Sequence, residues 1–114
     1  MKKIKLENGN YKKIYYYDAE ETKISSKFYY NSKDKLHRED GPAEIWYYES
    51  GEIMNELYYI NGKRHRLNGP AVIWYNRSGE IEYKYYYINN IEYLKEEYNK
   101  KINIDRNLKL LNKR

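Results

Sequence analysis

The sequence predicts a mainly β fold: an elongated antiparallel sheet of β-hairpin repeats, with a short α-helical cap at its C-terminal end. Three observations support this prediction. The chain of 114 residues repeats itself internally, its repeats alternate apolar and polar residues with a period of two, and turns rich in glycine and asparagine separate the alternating runs. A chain of this length is typical of one domain. We expect residues 1–93 to form the hairpin-repeat domain and residues 94–111 to form the cap.

The internal repeat has two clear copies, residues 37–61 and 65–89, which lie 28 residues apart and share the frame HRxxGPAxIWYxxSGEIxxxxYYIN. Every proline, tryptophan and histidine of the chain falls at a matching position in these copies. A degenerate copy spans residues 9–30, where the segment after Gly9 matches in spacing those after Gly51 and Gly79. We expect the shared positions to serve the repeat structure: His37, Gly41, Pro42, Gly51, His65, Gly69, Pro70 and Gly79.

Each copy is predicted to be a hairpin with one apolar and one charged side. Ile45 and Leu57 are expected on the core side of the first copy. In the second copy the core side is expected to carry Ile81, Tyr83, Tyr85 and Tyr87. Gly51 and Gly79 are expected to supply positive φ in the tight turns, and the pairs Asn61-Gly62 and Asn89-Asn90 are typical of a second kind of hairpin turn.

The pattern changes after Tyr93. Leu94, Tyr98 and Ile102 follow at helical spacing, and Leu108 and Leu111 indicate a second, shorter helical turn after residues 103–105. A terminal helix would cover the last hairpin and protect a sheet edge from pairing with other molecules.

Composition excludes several classes of site. The chain has no cysteine, so it contains neither disulfides nor thiolate metal sites. Its 22 basic and 17 acidic residues give a net charge of +5, which favours acidic partners weakly. No segment has the length and apolarity of a signal peptide or a transmembrane span, so we expect no membrane insertion and a cytoplasmic location.

The frame LHREDGPAxIWYxxSGEI, followed by YYINGKRHRxxGPA, resembles the MORN-variant repeats of bacterial, phage and giant-virus proteins. The matching elements are residues 40–43, Trp46-Tyr47, Ser50-Gly51 and residues 58–62, and they return from Asn68 onward. The departures are Asn68, where the first copy has Asp, and Asn90, where it has Gly. The resemblance implies stacked hairpins in a twisted single-layer sheet. It implies no common chemistry, because such repeats serve as scaffolds.

Catalytic and metal sites are not predicted. His37-Arg38 and His65-Arg66 lie near acidic residues, but a histidine that recurs with the repeat is most simply a structural group that hydrogen-bonds a neighbouring loop. Two histidines without cysteines make a poor closed zinc site. No serine elbow or phosphate-binding glycine loop is present. We therefore expect a non-enzymatic protein without a cofactor.

The aromatic and basic residues point instead to binding. We predict a protein-binding module that presents an aromatic and basic sheet face, for example an inhibitor, antitoxin or immunity protein, including a phage-encoded one, that blocks a toxin, nuclease or defence complex. Nucleic-acid binding through stacked rings and dispersed lysines is the alternative. A homo-oligomer that pairs through open sheet edges remains a third. The candidate contact residues are Trp46, Tyr48, Tyr58, Arg64, Trp74, Arg77, Lys84 and Tyr86.

Overall fold

The structure, a computed structural model, describes residues 1–112, so Lys113 and Arg114 lie outside it. A single 3₁₀ turn, Glu7–Gly9, joins the first two strands. The strands are β1 (Lys2–Lys5), β2 (Tyr11–Tyr16), β3 (Ile24–Tyr30), β4 (Glu44–Tyr47), β5 (Ile53–Leu57), β6 (Tyr59–Ile60), β7 (Lys63–Arg64), β8 (Val72–Tyr75), β9 (Ile81–Ile88) and β10 (Ile91–Tyr93), and they are followed by helix α1 (Lys95–Asn112).

Eight of these strands form one antiparallel meander in the order β1-β2-β3-β4-β5-β8-β9-β10, and β6 pairs with β7 in a separate small hairpin. The molecule measures 56 × 36 × 20 Å. The predicted fold class is therefore confirmed: an elongated antiparallel sheet of successive hairpins with a C-terminal helix. Each strand of this sheet pairs with its sequence neighbour. The two long connections are residues 31–43, between β3 and β4, and residues 58–71, which carry β6 and β7.

The two kinds of turn have the expected backbone. Gly51 and Gly79 adopt φ values of +95° and +88°, a region that costs glycine little. At the opposite end of the strands, the asparagines at the short turns also have positive φ: Asn61, Asn89 and Asn90. Asparagine tolerates this region better than most residues, so the Asn89-Asn90 pair preserves the turn without glycine.

A β-bulge recurs in every long hairpin and sets which residues share a face. In the first clear copy Trp46 pairs with Asn55 while Tyr47 pairs with Ile53, so Met54 is the extra residue. The same shift occurs between β2 and β3 and between β8 and β9. Because side chains alternate along a strand, one inserted residue exchanges the faces of everything beyond it.

The bulge makes one predicted face assignment wrong. Ile45 pairs with Glu56, so Leu57 lies on the opposite face from Ile45 and not beside it. We call the side that carries Trp46, Asn55, Trp74 and Tyr83 the tryptophan face, and the side that carries Ile45, Glu56, Ile73 and Lys84 the isoleucine face. Residues are buried on both: Ser26, Leu57 and Val72 on the first, and Ile14, Tyr29, Ala43, Ile45, Ala71 and Ile73 on the second.

The predicted core side of the last hairpin is also wrong. Ile81, Tyr83 and Tyr85 are exposed, and Tyr87 is only half-buried. Beyond β9 only the short β10 follows, which pairs with residues 86–88 and leaves residues 81–85 at the sheet margin. Tyr83 and Tyr85 lack the neighbouring hairpin that covers the residues at the matching positions of the preceding copy.

The degenerate N-terminal copy is a hairpin, but its alignment differs from the prediction. Strand β2 runs in the direction of β4 and β8, and Tyr16 pairs with Ile24 as Tyr47 pairs with Ile53. The counterpart of the Gly51 turn is therefore residues 17–23. Gly9 lies at the other end of the sheet. A Cβ at this position would lie 3.1 Å from the Ser32 side chain.

Helix α1 is continuous, so the predicted interruption at residues 103–105 is wrong. Its buried residues are Tyr98 and Ile102, which pack against Ile88 with Tyr86 and Tyr93 at the margin. Beyond Asp105 the helix has no buried residue up to Asn112, and Leu108, Leu110 and Leu111 are exposed. Within residues 1–112, no helix combines the length and apolarity needed to cross a bilayer.

Candidate protein-binding surface

The tryptophan face carries an aromatic row whose N-terminal part is internally paired. Tyr11 stacks on Tyr30 with ring centroids 5.0 Å apart, and Phe28 meets Trp46 edge-on at 5.7 Å. Two lysines add cation–π contacts, Lys3 over Tyr11 and Lys13 over Tyr30. These rings stabilise a sheet that has little aliphatic core, and much of their surface is already covered by one another.

The C-terminal part of the same row is free. Trp74, Tyr83 and Tyr85 are 39%, 58% and 40% exposed. Trp74 pairs directly with Tyr83 across β8 and β9, and Tyr85 lies two residues further along the same face. Within residues 1–112, none of these three rings stacks on another ring or on a cation. We call these three residues the aromatic patch.

A buried polar residue lies beside the patch. Asn55 pairs with Trp46 on one side and with Trp74 on the other, and it is 4% exposed. Its Oδ1 has no hydrogen-bond partner among the described residues. An unpaired buried polar atom costs about 1–3 kcal/mol, so this position reduces stability at the centre of the face.

The isoleucine face carries the HRxxGP segments, which are held by repeated contacts. The guanidinium of Arg38 lies 4.0 Å from the Tyr29 ring centroid, and that of Arg66 lies 4.0 Å from the Tyr58 centroid. In both copies Nε donates to the residue two positions on and Nη1 donates to a proline carbonyl: Asp40 and Pro42 for Arg38, and Asn68 and Pro70 for Arg66.

The glycines of these segments sit against the arginines. A Cβ on Gly41 would lie 2.9 Å from the Arg38 guanidinium, and one on Gly69 would lie 3.0 Å from that of Arg66. The GP pair of the repeat thus leaves room for an arginine that folds back over its own loop.

The two histidines hold the short turns. Nδ1 of His37 accepts a hydrogen bond from the Asn61 backbone N–H at 2.9 Å, and Nδ1 of His65 accepts one from the Asn89 N–H at 3.1 Å. Burial lowers the pKa of His65, which favours the neutral imidazole that this bond requires. Within residues 1–112, no group of three or more His, Asp and Glu side chains comes close enough to hold a metal ion.

The predicted contact residues do not form one surface. Trp46 and Trp74 lie on the tryptophan face, whereas Tyr58, Lys84 and Tyr86 lie on the isoleucine face. The cause is the bulge, which places Leu57 and Tyr85 on the tryptophan face. Tyr58 and Tyr86, the residues that follow them, therefore lie on the isoleucine face. The prediction of a single aromatic ladder is therefore wrong.

The remaining three predicted residues lie at the strand ends and have partners. Arg77 stacks over Tyr48 at 4.9 Å, and the Tyr48 hydroxyl donates to the Tyr75 carbonyl. Arg64 donates to the Tyr59 and Tyr87 hydroxyls, contacts that raise its pKa. These contacts tie neighbouring copies together.

Two tyrosines that donate a hydrogen bond to a carboxylate have a raised pKa. Tyr75 donates to Glu56 on the isoleucine face, and its pKa is raised by burial and by that bond. Tyr11 donates to Asp34 at 2.5 Å, which raises its pKa to about 12. Both stay neutral at physiological pH, which suits a role in joining strands to loops.

Compared with protein-family models, curated proteins and solved structures, the chain has no significant match. The resemblance to MORN-variant repeats therefore rests on the shared residues alone. The exposure of the aromatic patch differs from the prediction, which places Tyr83 and Tyr85 in the core. Nothing in the local pattern distinguishes them from buried counterparts, and their only signal is that they belong to the last copy of the repeat.

Proposed function

We propose that the chain is a non-enzymatic protein-binding module whose partner contacts the aromatic patch. The observation that carries this proposal is the exposure of three adjacent, unstacked rings, Trp74, Tyr83 and Tyr85, on a face whose other rings are paired. Tyrosine and tryptophan are enriched among the residues that dominate interface energy.

The sheet beneath the patch suits this role. Val72 and Leu57 are buried next to it in register, so the strands that carry the patch are held by packed neighbours. A rigid support reduces the conformational entropy lost on binding, and an aromatic ring brings large contact area with only two side-chain torsions.

We further propose that the module is an inhibitor, antitoxin or immunity protein that acts in the cytoplasm on a toxin, nuclease or defence complex, in one version as a phage-encoded protein. The repeat scaffold and the tyrosine-rich surface support this. The resemblance to MORN-variant repeats supports a scaffold that presents a binding surface, and it does not select the partner.

The test is capture from nuclease-treated host lysate with the tagged chain, followed by reconstitution with the recovered protein. We expect one stoichiometric protein at moderate salt, and we expect the Trp74→Ala/Tyr83→Ser variant to lose it. The matched control is Leu94→Ser/Leu110→Ser, which removes exposed apolar side chains of the helical region. Equal capture by both variants would place the interface elsewhere.

Nucleic-acid binding is a second candidate, favoured by one observation. Strands β1, β2 and β3 carry three, two and one lysines and no acidic residue. The neighbouring rings, however, are stacked on each other or beneath lysines, which leaves few ring faces for bases. Binding of oligothymidylate with a steep salt dependence would support this candidate, and binding that is insensitive to salt would exclude it.

A further inference from the structure

We propose that the outer edge of β1 is a second docking site, which receives an extended acidic peptide segment as an additional strand of the sheet. This surface lies at the opposite end of the strand order from the aromatic patch. The proposal therefore stands apart from the function proposed above, and either can fail without the other.

Strand β1 presents a regular, open edge. It is the first strand of the sheet, all four of its residues are exposed, and its register with β2 runs without a bulge from Lys2 opposite Ile14 to Lys5 opposite Tyr11. The other margin of the sheet, residues 81–85 of β9, is interrupted by the bulge next to Tyr83. Bulges discourage the addition of a strand, and a regular edge permits it.

The outward backbone groups belong to two lysines. Leu6 N–H donates to the Asn10 carbonyl within the β1–β2 hairpin. In an antiparallel pair such contacts alternate along the strand, so Ile4 and Lys2 also direct their backbone groups towards β2. The N–H and C=O groups of Lys3 and Lys5 therefore point away from the sheet and are free to pair with an added strand.

The side chains at these two positions select the charge of that strand. Lys3 and Lys5 both lie on the tryptophan face, opposite Lys13 and Tyr11. Within residues 1–112 neither lysine forms an ion pair, whereas Lys2 is already 3.5 Å from Glu21. Carboxylates placed opposite Lys3 and Lys5 would form cross-strand ion pairs, and the residue between them would lie opposite Ile4. The pattern that fits is acidic, apolar, acidic.

Charge also decides against a second copy of the chain. Two β1 strands paired edge to edge would bring lysine against lysine, and directly opposed like charges destabilise a sheet. Lysines on an edge strand thus prevent self-pairing while they attract an acidic segment, a mode of recognition in which backbone bonds supply affinity and alternate side chains supply specificity.

The test uses a synthetic peptide of alternating glutamate and valine, with amide hydrogen exchange as the readout. We expect the peptide to slow exchange at the Lys3 and Lys5 amides and to leave the inward Lys2 and Ile4 amides unchanged. The same peptide with alternate N-methylated amides keeps its charge but cannot pair through its backbone, and we expect it to give no protection. Equal protection by both peptides, or none by either, would overturn the proposal.

A charge-reversed variant gives an independent measure. Lys3→Glu/Lys5→Glu should weaken peptide binding by roughly tenfold or more, since it replaces two attractive cross-strand pairs with repulsive ones. The matched control, Lys100→Glu/Lys101→Glu, makes the same charge change on the helix and should bind as the unaltered chain does. Equal loss in both variants would show a diffuse charge effect. Protection of β1 by oligothymidylate alone, or by raising the protein concentration without peptide, would also overturn the assignment.

Discussion

Tyr98 of helix α1 packs against Tyr86 in the way that Arg38 packs against Tyr29 and Arg66 packs against Tyr58. Its ring centroid lies 4.8 Å from that of Tyr86, whereas Arg38 and Arg66 lie 4.0 Å from their tyrosine centroids. The Tyr98 hydroxyl donates to the Arg66 carbonyl and accepts from the Gly69 N–H. The helix therefore ends the repeat by substituting for the loop of a next copy.

Two substitutions of Tyr98 should destabilise the fold to different extents. We expect Tyr98→Phe to lower the free energy of unfolding by about 1–3 kcal/mol, because the Gly69 N–H loses its partner. Tyr98→Ala should cost about 3–5 kcal/mol, because it also leaves a cavity against Tyr86. Urea unfolding measures both, with exposed Leu110→Ala as the control, expected to change stability by less than about 0.5 kcal/mol. Equal stability of Tyr98→Phe and the parent chain would contradict the hydrogen-bond role.

The arginine stack should depend on the guanidinium and not on charge alone. Arg66→Ala is expected to cost about 1–3 kcal/mol from the lost cation–π contact with Tyr58 and the lost bond to the Pro70 carbonyl. Arg66→Lys should recover little of this, because an ammonium cannot lie over the ring and bond both Asn68 and Pro70. Denaturant unfolding of the parent chain, Arg66→Ala and Arg66→Lys measures these differences. Full recovery of the unfolding free energy by lysine would refute the need for a guanidinium.

Asn55 should be replaceable with a gain in stability. Its Oδ1 is buried without a partner, so Asn55→Val should raise the free energy of unfolding by about 1–3 kcal/mol, helped by the strand preference of valine. The matched control is Asn76→Val. Asn76 Oδ1 accepts bonds from Ser78 and Glu80, so the same exchange there should be destabilising. A loss of stability at position 55 would show that the amide has a partner in solution.

The fold should be less stable in mild acid through His65. Its pKa is lowered by burial, so below the ordinary histidine value the unfolded chain binds a proton more readily than the folded one. This contribution to stability is complete above that value and is lost as the pH falls through it towards the folded pKa. We expect His65→Asn to flatten the slope of unfolding free energy between about pH 7.5 and pH 5. An unchanged slope would assign the dependence to other groups.

The sequence by itself determined the architecture. The frame that links His37 to Asn61 returns from His65 to Asn89, and a repeated unit with period-two alternation and turn residues at both ends has few ways to bury its apolar side other than a meander of hairpins. The turns, the terminal helix and the absence of thiolate chemistry followed from local residue types, because backbone preferences at glycine, asparagine and helical spacing act over a few residues.

Only the tertiary structure decided which side chains share a face and which are exposed. Met54 is an unremarkable strand residue, yet the bulge it forms moves Leu57 away from Ile45 and separates Tyr58 from Trp46. Likewise Tyr83 and Tyr85 have the sequence pattern of core residues and become a surface because no hairpin follows beyond β9 to cover them. A one-residue register shift and the presence of a neighbour are properties of strand pairing, and the pattern of a single strand does not contain them.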